Sequence, residues 1–185
     1  MKRTFIAIKI PVSKQTAEFI QDIKSELRND KINWVEIFQM HITLYFLGDT
    51  EDEMIEKISY HLGELLKNQT PFKLNCKGLG LFKNLSNPRV LWLGIEESVQ
   101  LQNLKTRIDG LMKNLGFEIE KRAFKPHLTL GRIKYIKDKE KLKNLLERYN
   151  DFEFQEFKID KLIFYESRLT SDGPIYKAIK EILLN

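Results

Sequence analysis

His41-Ile42-Thr43-Leu44 and His127-Leu128-Thr129-Leu130 are two copies of one tetrapeptide, 86 positions apart, and they contain two of the three histidines in the chain. Successive side chains of a β-strand point to opposite faces. If each copy is a strand, its histidine and threonine point to one side and its two aliphatic residues to the other. We therefore predict two strands of the same construction, each with one polar and one apolar face.

The spacing around the two copies predicts an internal duplication. Phe5 precedes His41 by 36 residues, and Val90 precedes His127 by 37. In both halves a predicted strand, a helix, the histidine strand and a second helix follow in that order, which is typical of a repeat. We place the approximate repeats at 4–70 and 89–150, followed by strands within 152–183.

No long polar linker separates the halves, so we expect one bilobal domain over residues 1–185. Its predicted class is α+β, with two mostly antiparallel sheets around a central cleft and helices on the outside. The two equivalent histidine strands should lie symmetrically about that cleft.

Local signals give the approximate limits of the elements. We expect N-caps at Ser13, Thr50 (with Glu53 in the capping-box position), Ser98 and Asp138, for helices that continue to about Leu27, Leu66, Leu115 and Tyr149. Two short strands are predicted at Phe72–Cys76 and Leu79–Phe82. The C-terminal strands are expected near Phe152–Phe157, Lys161–Ser167 and Ile175–Leu183, with a turn at Ser171–Pro174.

Composition restricts the function only loosely. The formal charge is +5 and the pI about 9.1, which suits a polyanionic ligand, although many basic proteins have none. The single cysteine, Cys76, has no partner for an internal disulfide and suits a reducing compartment. The N-terminal apolar stretch is too short for a signal peptide, and no run reaches the ~18 to 20 apolar residues of a membrane span. We therefore expect a cytoplasmic protein.

The paired motifs carry the chemistry. A lone histidine in a strand is more often structural than catalytic, but the duplicated context favours a shared site. An imidazole titrates near neutrality, so two of them can serve as an acid and a base, while Thr43 and Thr129 can donate hydrogen bonds to phosphate oxygens. Neither tetrapeptide contains an Asp or Glu, which makes a metal site the weaker interpretation. We expect no metal and no cofactor.

Blocks along nearly the whole chain resemble the 2H phosphoesterase superfamily, and most closely its RNA 2′,3′-cyclic phosphodiesterase branch, also called 2′-5′ RNA ligases. Besides the two motifs, the resemblance rests on these segments: Phe5-Ile6-Ala7-Ile8, Gly78-Leu79-Gly80-Leu81-Phe82, Pro88-Arg89-Val90-Leu91-Trp92-Leu93-Gly94, and Leu162-Ile163-Phe164-Tyr165-Glu166-Ser167-Arg168-Leu169.

The resemblance implies a metal-independent enzyme that opens a terminal 2′,3′-cyclic phosphate to a 2′-phosphomonoester. It implies a bilobal fold with both histidines in the central cleft, and by analogy His41 as the acid and His127 as the base. Arg132 becomes a candidate phosphate ligand, but strand alternation brings it to the cleft only if the strand bends or bulges near Gly131. The expected partners are RNA or nucleotides with 2′,3′-cyclic phosphate ends, with no membrane partner, and we expect a monomer.

Two other functions remain open. The same cleft could accept a 5′-hydroxyl in place of water and join RNA ends through a 2′-5′ linkage. The chain could instead be a non-catalytic module that binds RNA ends.

Several other residues have two interpretations. Tyr45, on the predicted face of His41, either lines the cleft or packs against its neighbours, and Trp34 and Trp92 either stack on a base or pack in the core. Five cations either steer RNA to the site or are solvated surface charge: Lys83, Arg89, Arg122, Lys125 and Lys134.

Overall fold

The computed structural model describes residues 1–171 and 173–185, so Asp172 of the predicted turn lies outside the described residues. The chain alternates strands with helices in its first 150 residues and ends in strands. The strands are β1 (Lys2–Lys9), β2 (Lys31–Trp34), β3 (His41–Thr50), β4 (Phe72–Phe82), β5 (Val90–Ile95), β6 (His127–Tyr135), β7 (Glu153–Ile159), β8 (Lys161–Thr170) and β9 (Gly173–Leu183). The helices are α1 (Lys14–Glu26), α2 (Asp52–Leu66), α3 (Val99–Asn114) and α4 (Lys139–Arg148), with a 3₁₀ turn at Ile37–Gln39.

The strands form two antiparallel sheets, which confirms the predicted α+β class. The first sheet has the order β3-β1-β8-β9, and the second has the order β2-β6-β5-β4-β7. Each histidine strand pairs with the strand that opens its own half, β3 with β1 and β6 with β5. The pairing of a histidine strand with the first strand of its own half is therefore the same in both sheets.

Three of the four predicted helix starts are confirmed. The side chains of Ser13, Ser98 and Asp138 each accept a hydrogen bond from a backbone N–H in the first turn, which satisfies a donor that the helix leaves unpaired. Every helix has exposed residues and one buried apolar stripe, and these stripes join a cluster of buried side chains drawn from both sheets. Among the described residues, no helix has the length and apolar content needed to cross a membrane.

Two boundary predictions are wrong. Thr50 is the last residue of β3, and its hydroxyl bonds to Thr4 and to the Gly48 carbonyl, so it is unavailable as a helix cap. The predicted pair of short strands is one strand, β4, because the pairing with β5 continues past a register shift between Cys76 and Leu79. Gly78 adopts a positive φ of 80° at that shift, and a Cβ there would lie 2.6 Å from a backbone carbonyl oxygen.

Each histidine strand contains a β-bulge at the leucine that closes its tetrapeptide. In β3, Thr43 lies opposite Ala7 and Tyr45 opposite Ile6, so Leu44 is the extra residue. In β6, Thr129 lies opposite Trp92 and the next paired residue is Gly131, so Leu130 is the extra residue. A bulge resets the alternation of side chains, so the residues that follow these leucines, Tyr45 and Phe46 in β3 and Gly131 and Arg132 in β6, change face relative to a regular strand.

Each half of the chain also contacts the sheet or loop of the other half. Strand β2 comes from the first half of the chain but pairs with β6 in the second sheet. In the opposite direction, the hydroxyl of Tyr45 in β3 donates to the carbonyl of Glu118, which precedes β6. The lobes are thus tied together on both sides of the histidine strands, consistent with the absence of a linker.

Candidate active site

The two motif imidazoles are held in the same way. Nδ1 of His41 lies 2.7 Å from the carbonyl oxygen of Gln39, and Nδ1 of His127 lies 2.8 Å from that of Lys125, in both cases two residues earlier. A carbonyl oxygen only accepts, so Nδ1 carries the hydrogen. This contact fixes the orientation of each ring and leaves its Nε2 as the basic nitrogen.

The structure brings the two imidazoles and Arg132 into one electrostatic environment. The positive charge of His127 lowers the pKa of His41, and the charge of Arg132 lowers the pKa of both imidazoles. His41 from the first half of the chain therefore interacts electrostatically with His127 and Arg132 from the second half. Because like charges oppose each other here, the site favours one protonated imidazole over two.

Burial is the largest cause of the lowered pKa of each imidazole. Burial disfavours the charged form, while the hydrogen bonds to Gln39 and Lys125 partly oppose this effect. The charge of Lys125 also lowers the pKa of His127. Both imidazoles thus titrate below the ordinary histidine value of 6.5.

Thr43 and Thr129 occupy equivalent positions beside the imidazoles. Each lies two residues after its histidine and before the bulge, and so on the same face of its strand. Thr43 is exposed and Thr129 half-buried. Within residues 1–171 and 173–185 neither hydroxyl has a hydrogen-bond partner, so both can donate to a bound anion.

Arg132 reaches the cleft face because the bend anticipated near Gly131 is present. With Leu130 as the extra residue, Arg132 lies opposite Val90, just as Thr129 lies opposite Trp92 and His127 opposite Gly94. The three polar side chains of β6 consequently share one face. The guanidinium is exposed, and its fixed fork of donors matches the geometry of a phosphate.

Aromatic rings that the motifs alone did not reveal surround His41. The rings of Phe5 and Tyr176 lie 5.0 and 5.1 Å from the imidazole, and Tyr165 lies 6.4 Å away. Burial raises the pKa of Tyr176, and that of Tyr165 to about 12, so both remain neutral phenols. Alternation in β1 could have indicated Phe5, but the tyrosines come from the C-terminal strands, more than 100 residues away.

His127 has a different surrounding, which is aromatic and cationic. The Phe82 ring lies 4.7 Å from its imidazole, and Trp92 lies 6.4 Å away. The Lys125 ammonium lies 4.5 Å from the centre of the Trp92 ring, a cation–π contact. Trp92 is 9% exposed and lies on the cleft face opposite Thr129. It is therefore buried, as expected, but at the cleft and not in the helix-facing core.

The other residues with two interpretations lie in the core or on the surface of the protein. Tyr45 packs in the main core because the bulge at Leu44 places it with Ile6, on the face opposite to Thr43. Trp34 is half-buried against the core, with the Lys24 ammonium over its ring. The exposed cations predicted as a patch are Lys83, Arg89, Arg122, Lys125 and Lys134; of these, only Lys125 has a charge that contributes to the lowered pKa of a motif imidazole.

No three His, Cys, Asp or Glu side chains are grouped as metal ligands anywhere in residues 1–171 and 173–185. Cys76 is buried in β4, and burial raises the pKa of its thiol to about 12. It is inert as a nucleophile in this state.

This arrangement, two sheets with an H-x-T strand in each, defines a 2H phosphoesterase fold. The family model of the AKAP7 2′-5′ RNA ligase-like domain matches residues 5–184, and the chain belongs to this family within the 2H phosphoesterase superfamily.

Two relatives and one solved structure illustrate the similarity. The chain is 38% identical over 181 residues to the RNA 2′,3′-cyclic phosphodiesterase of Thermotoga maritima, covering 97% of this chain and 94% of the relative. It is 38% identical to the protein of the same name from Methanocaldococcus jannaschii, covering 97% and 99%. The crystal structure of E. coli LigT complexed with 3′-AMP shares its fold, with a TM-score of 0.77, 22% identity, and coverage of 100% of this chain and 98% of that one.

Proposed function

We propose that this protein is a metal-independent RNA 2′,3′-cyclic phosphodiesterase, with His41 and His127 as its acid–base pair. The observation that carries the proposal is the electrostatic coupling of two identically held imidazoles with Arg132. Relatives at 38% identity over nearly their whole length carry that name, which supports the assignment.

The reaction follows from the roles of these groups. One neutral imidazole takes a proton through Nε2 from a water molecule, whose oxygen forms a bond to the phosphorus of the cyclic phosphate. The bond from phosphorus to the ribose 3′-oxygen breaks, and the other imidazole, protonated, gives that oxygen its proton. The product is a 2′-phosphomonoester. We assign the base to His127 and the acid to His41.

Arg132, Thr43 and Thr129 are proposed to hold the non-bridging phosphate oxygens. The charge that develops on these oxygens is stabilised by donors already in place. Arg132 supplies two donors in a fork and a full positive charge, and the two hydroxyls approach from the two lobes. Both threonine hydroxyls lack a hydrogen-bond partner among the residues that the structure describes, which supports this role.

The proposed unit of function is the whole chain, one bilobal domain over residues 1–185, with repeats near 4–70 and 89–150. Strand β2 of the first repeat pairs with β6 of the second, and Tyr45 of the first donates a hydrogen bond to Glu118 of the second. These contacts between the repeats support a single domain. We also propose a monomer that meets RNA or nucleotide ends in a cytoplasmic setting, for which the lone buried cysteine is suitable.

The test uses an oligonucleotide ending in a 2′,3′-cyclic phosphate, incubated with the purified protein in EDTA. We expect conversion to the 2′-phosphomonoester, and a loss of at least ~10²-fold in His41→Ala and His127→Ala. A 3′-phosphate product, or wild-type rates in both variants, would contradict the assignment. Binding without product after prolonged incubation would favour a passive RNA-end module, while joining of paired tRNA halves faster than opening would favour ligation.

A further inference from the structure

Phe46 lies on the cleft face of β3 because of the bulge at Leu44. It is the direct partner of Phe5 across the sheet, so the two side chains stand on the same side. Phe5 is the residue whose ring lies 5.0 Å from His41, and it clusters with Ala7, Ile163 and Tyr165 on that side, separately from the helix-facing core. In a regular strand Phe46 would point into that core.

Phe46 is also the counterpart of Arg132. On the cleft face of β6 the order is His127, Thr129, Arg132, with Leu130 bulged out; on β3 the order is His41, Thr43, Phe46, with Leu44 bulged out. One repeat therefore presents a guanidinium at the position where the other presents an aromatic ring. The position on β6 is close enough for its charge to act on both imidazoles.

The Phe46 ring is accessible, unlike the rings of Phe5 and Tyr165 on the same face of the sheet. It is 52% exposed, whereas Phe5 and Tyr165 are buried. The guanidinium carbon of Arg3, which precedes Phe5 on the same face of β1, lies 5.0 Å from the ring centre. An exposed aromatic face supported by an arginine is the arrangement on which single-stranded nucleic acids stack their bases.

We propose that Phe46, supported by Arg3, is the stacking platform for the base of the nucleotide that carries the cyclic phosphate. This inference rests on the proposed function and extends it to substrate recognition. The duplicated position has diverged, so that Arg132 holds the phosphate from one lobe and Phe46 holds the base from the other. Because every base has a π-face, the platform accepts all four bases.

The test compares Phe46→Ala with Phe46→Trp on two substrates: adenosine 2′,3′-cyclic phosphate, and an analogue with hydrogen in place of the base. Phe46→Ala should raise KM for the adenosine substrate by roughly 5- to 150-fold, the range expected for one base–aromatic stack, with kcat nearly unchanged. Phe46→Trp should restore KM. Neither variant should alter KM for the baseless analogue, because a structural defect would affect both substrates and a stacking defect only one.

Tyr60→Ala is the matched control, since Tyr60 is a 64% exposed aromatic on α2; its KM should stay at the wild-type value. An unchanged KM in Phe46→Ala, an equal loss on the baseless analogue, or a loss seen only with longer RNA would overturn the inference. If the wild-type protein opens neither substrate, the proposed function fails, but the stacking platform is not yet refuted. In that case calorimetric binding of 3′-AMP to wild type and Phe46→Ala still tests the platform: equal affinities refute it, and weaker binding by Phe46→Ala supports it.

Discussion

Replacing each motif histidine by asparagine separates the chemistry of the imidazole from its structural role. Nδ1 of His41 and of His127 donates to a backbone carbonyl. The amide nitrogen of asparagine sits close to the position of Nδ1 and can keep that hydrogen bond, but asparagine has no equivalent of Nε2. Because a positioned proton transfer contributes about 10²- to 10⁴-fold, each variant should lose that factor in kcat, roughly 2.7 to 5.4 kcal/mol of transition-state stabilisation.

The cost in stability should be much smaller than the cost in rate. His127 contacts the Phe82 ring, and His41 contacts the rings of Phe5 and Tyr176. Each aromatic pair contributes about 0.5–1.5 kcal/mol, so His41→Asn should destabilise the fold more than His127→Asn. Urea unfolding followed by tryptophan fluorescence measures this difference, and both variants should remain folded under assay conditions.

The double variant is the strictest part of this prediction. If His41 and His127 act in one proton-transfer sequence, removing both should cost about as much as the worse single change, because residues that act as a unit are not additive. The assay is release of the 2′-phosphomonoester from a 2′,3′-cyclic nucleotide, resolved by chromatography. Single variants within tenfold of wild type, or a double loss equal to the product of two large single losses, would refute the paired mechanism.

Other consequences can be measured with the same assay or by unfolding. The lowered pKa of both imidazoles places the maximum of kcat/KM below pH 6.5, since one must be neutral and the other protonated; a maximum above pH 7.5 would contradict this. Arg132→Gln removes a charge that lowers both pKa values, so its profile should move to higher pH while KM rises; an unmoved profile would separate Arg132 from the imidazoles. Gly80→Ala places a Cβ against the Trp92 ring and should cost about 1–3 kcal/mol in urea unfolding. The control Gly110→Ala, on an open helix surface, should stabilise by about 0.5–1 kcal/mol, and equal effects would show that the Trp92 contact does not matter.

Most of the fold could be predicted because its signals are local. Serine and aspartate caps mark three helix starts, and the twin tetrapeptides mark the paired strands. Thr50 failed as a cap because a partner 46 residues earlier, Thr4, bonds its hydroxyl. Strand β2 was not predicted at all, since its half-buried residues acquire a ladder only from β6, about 100 residues later. Long-range pairing of this kind leaves little trace in a short window of sequence.

Of the two bulges in the site, only one could be predicted from the sequence. Gly131 signalled one of them, because a glycine inside a strand pattern suggests a bulge or a close backbone approach; a Cβ there would lie 2.6 Å from Ile32. The equivalent position on β3 is Tyr45, which gives no such signal. Regular alternation therefore placed Tyr45 on the face of His41 and Thr43, whereas in the structure Tyr45 packs in the core and Phe46 lies on the cleft face.

The two imidazoles are held in the same way but have different surroundings. His127 lies beside Lys125 and under the influence of Arg132, so its neutral form is favoured by two fixed cations. His41 has aromatic neighbours, and the charges that lower its pKa are those of His127 and Arg132. When His127 is neutral, one of those two charges disappears, and protonation of His41 becomes easier. The pair therefore favours a single proton, which is the state that one base and one acid require before the phosphate is attacked; the assignment of the base to His127 and the acid to His41 stays a proposal.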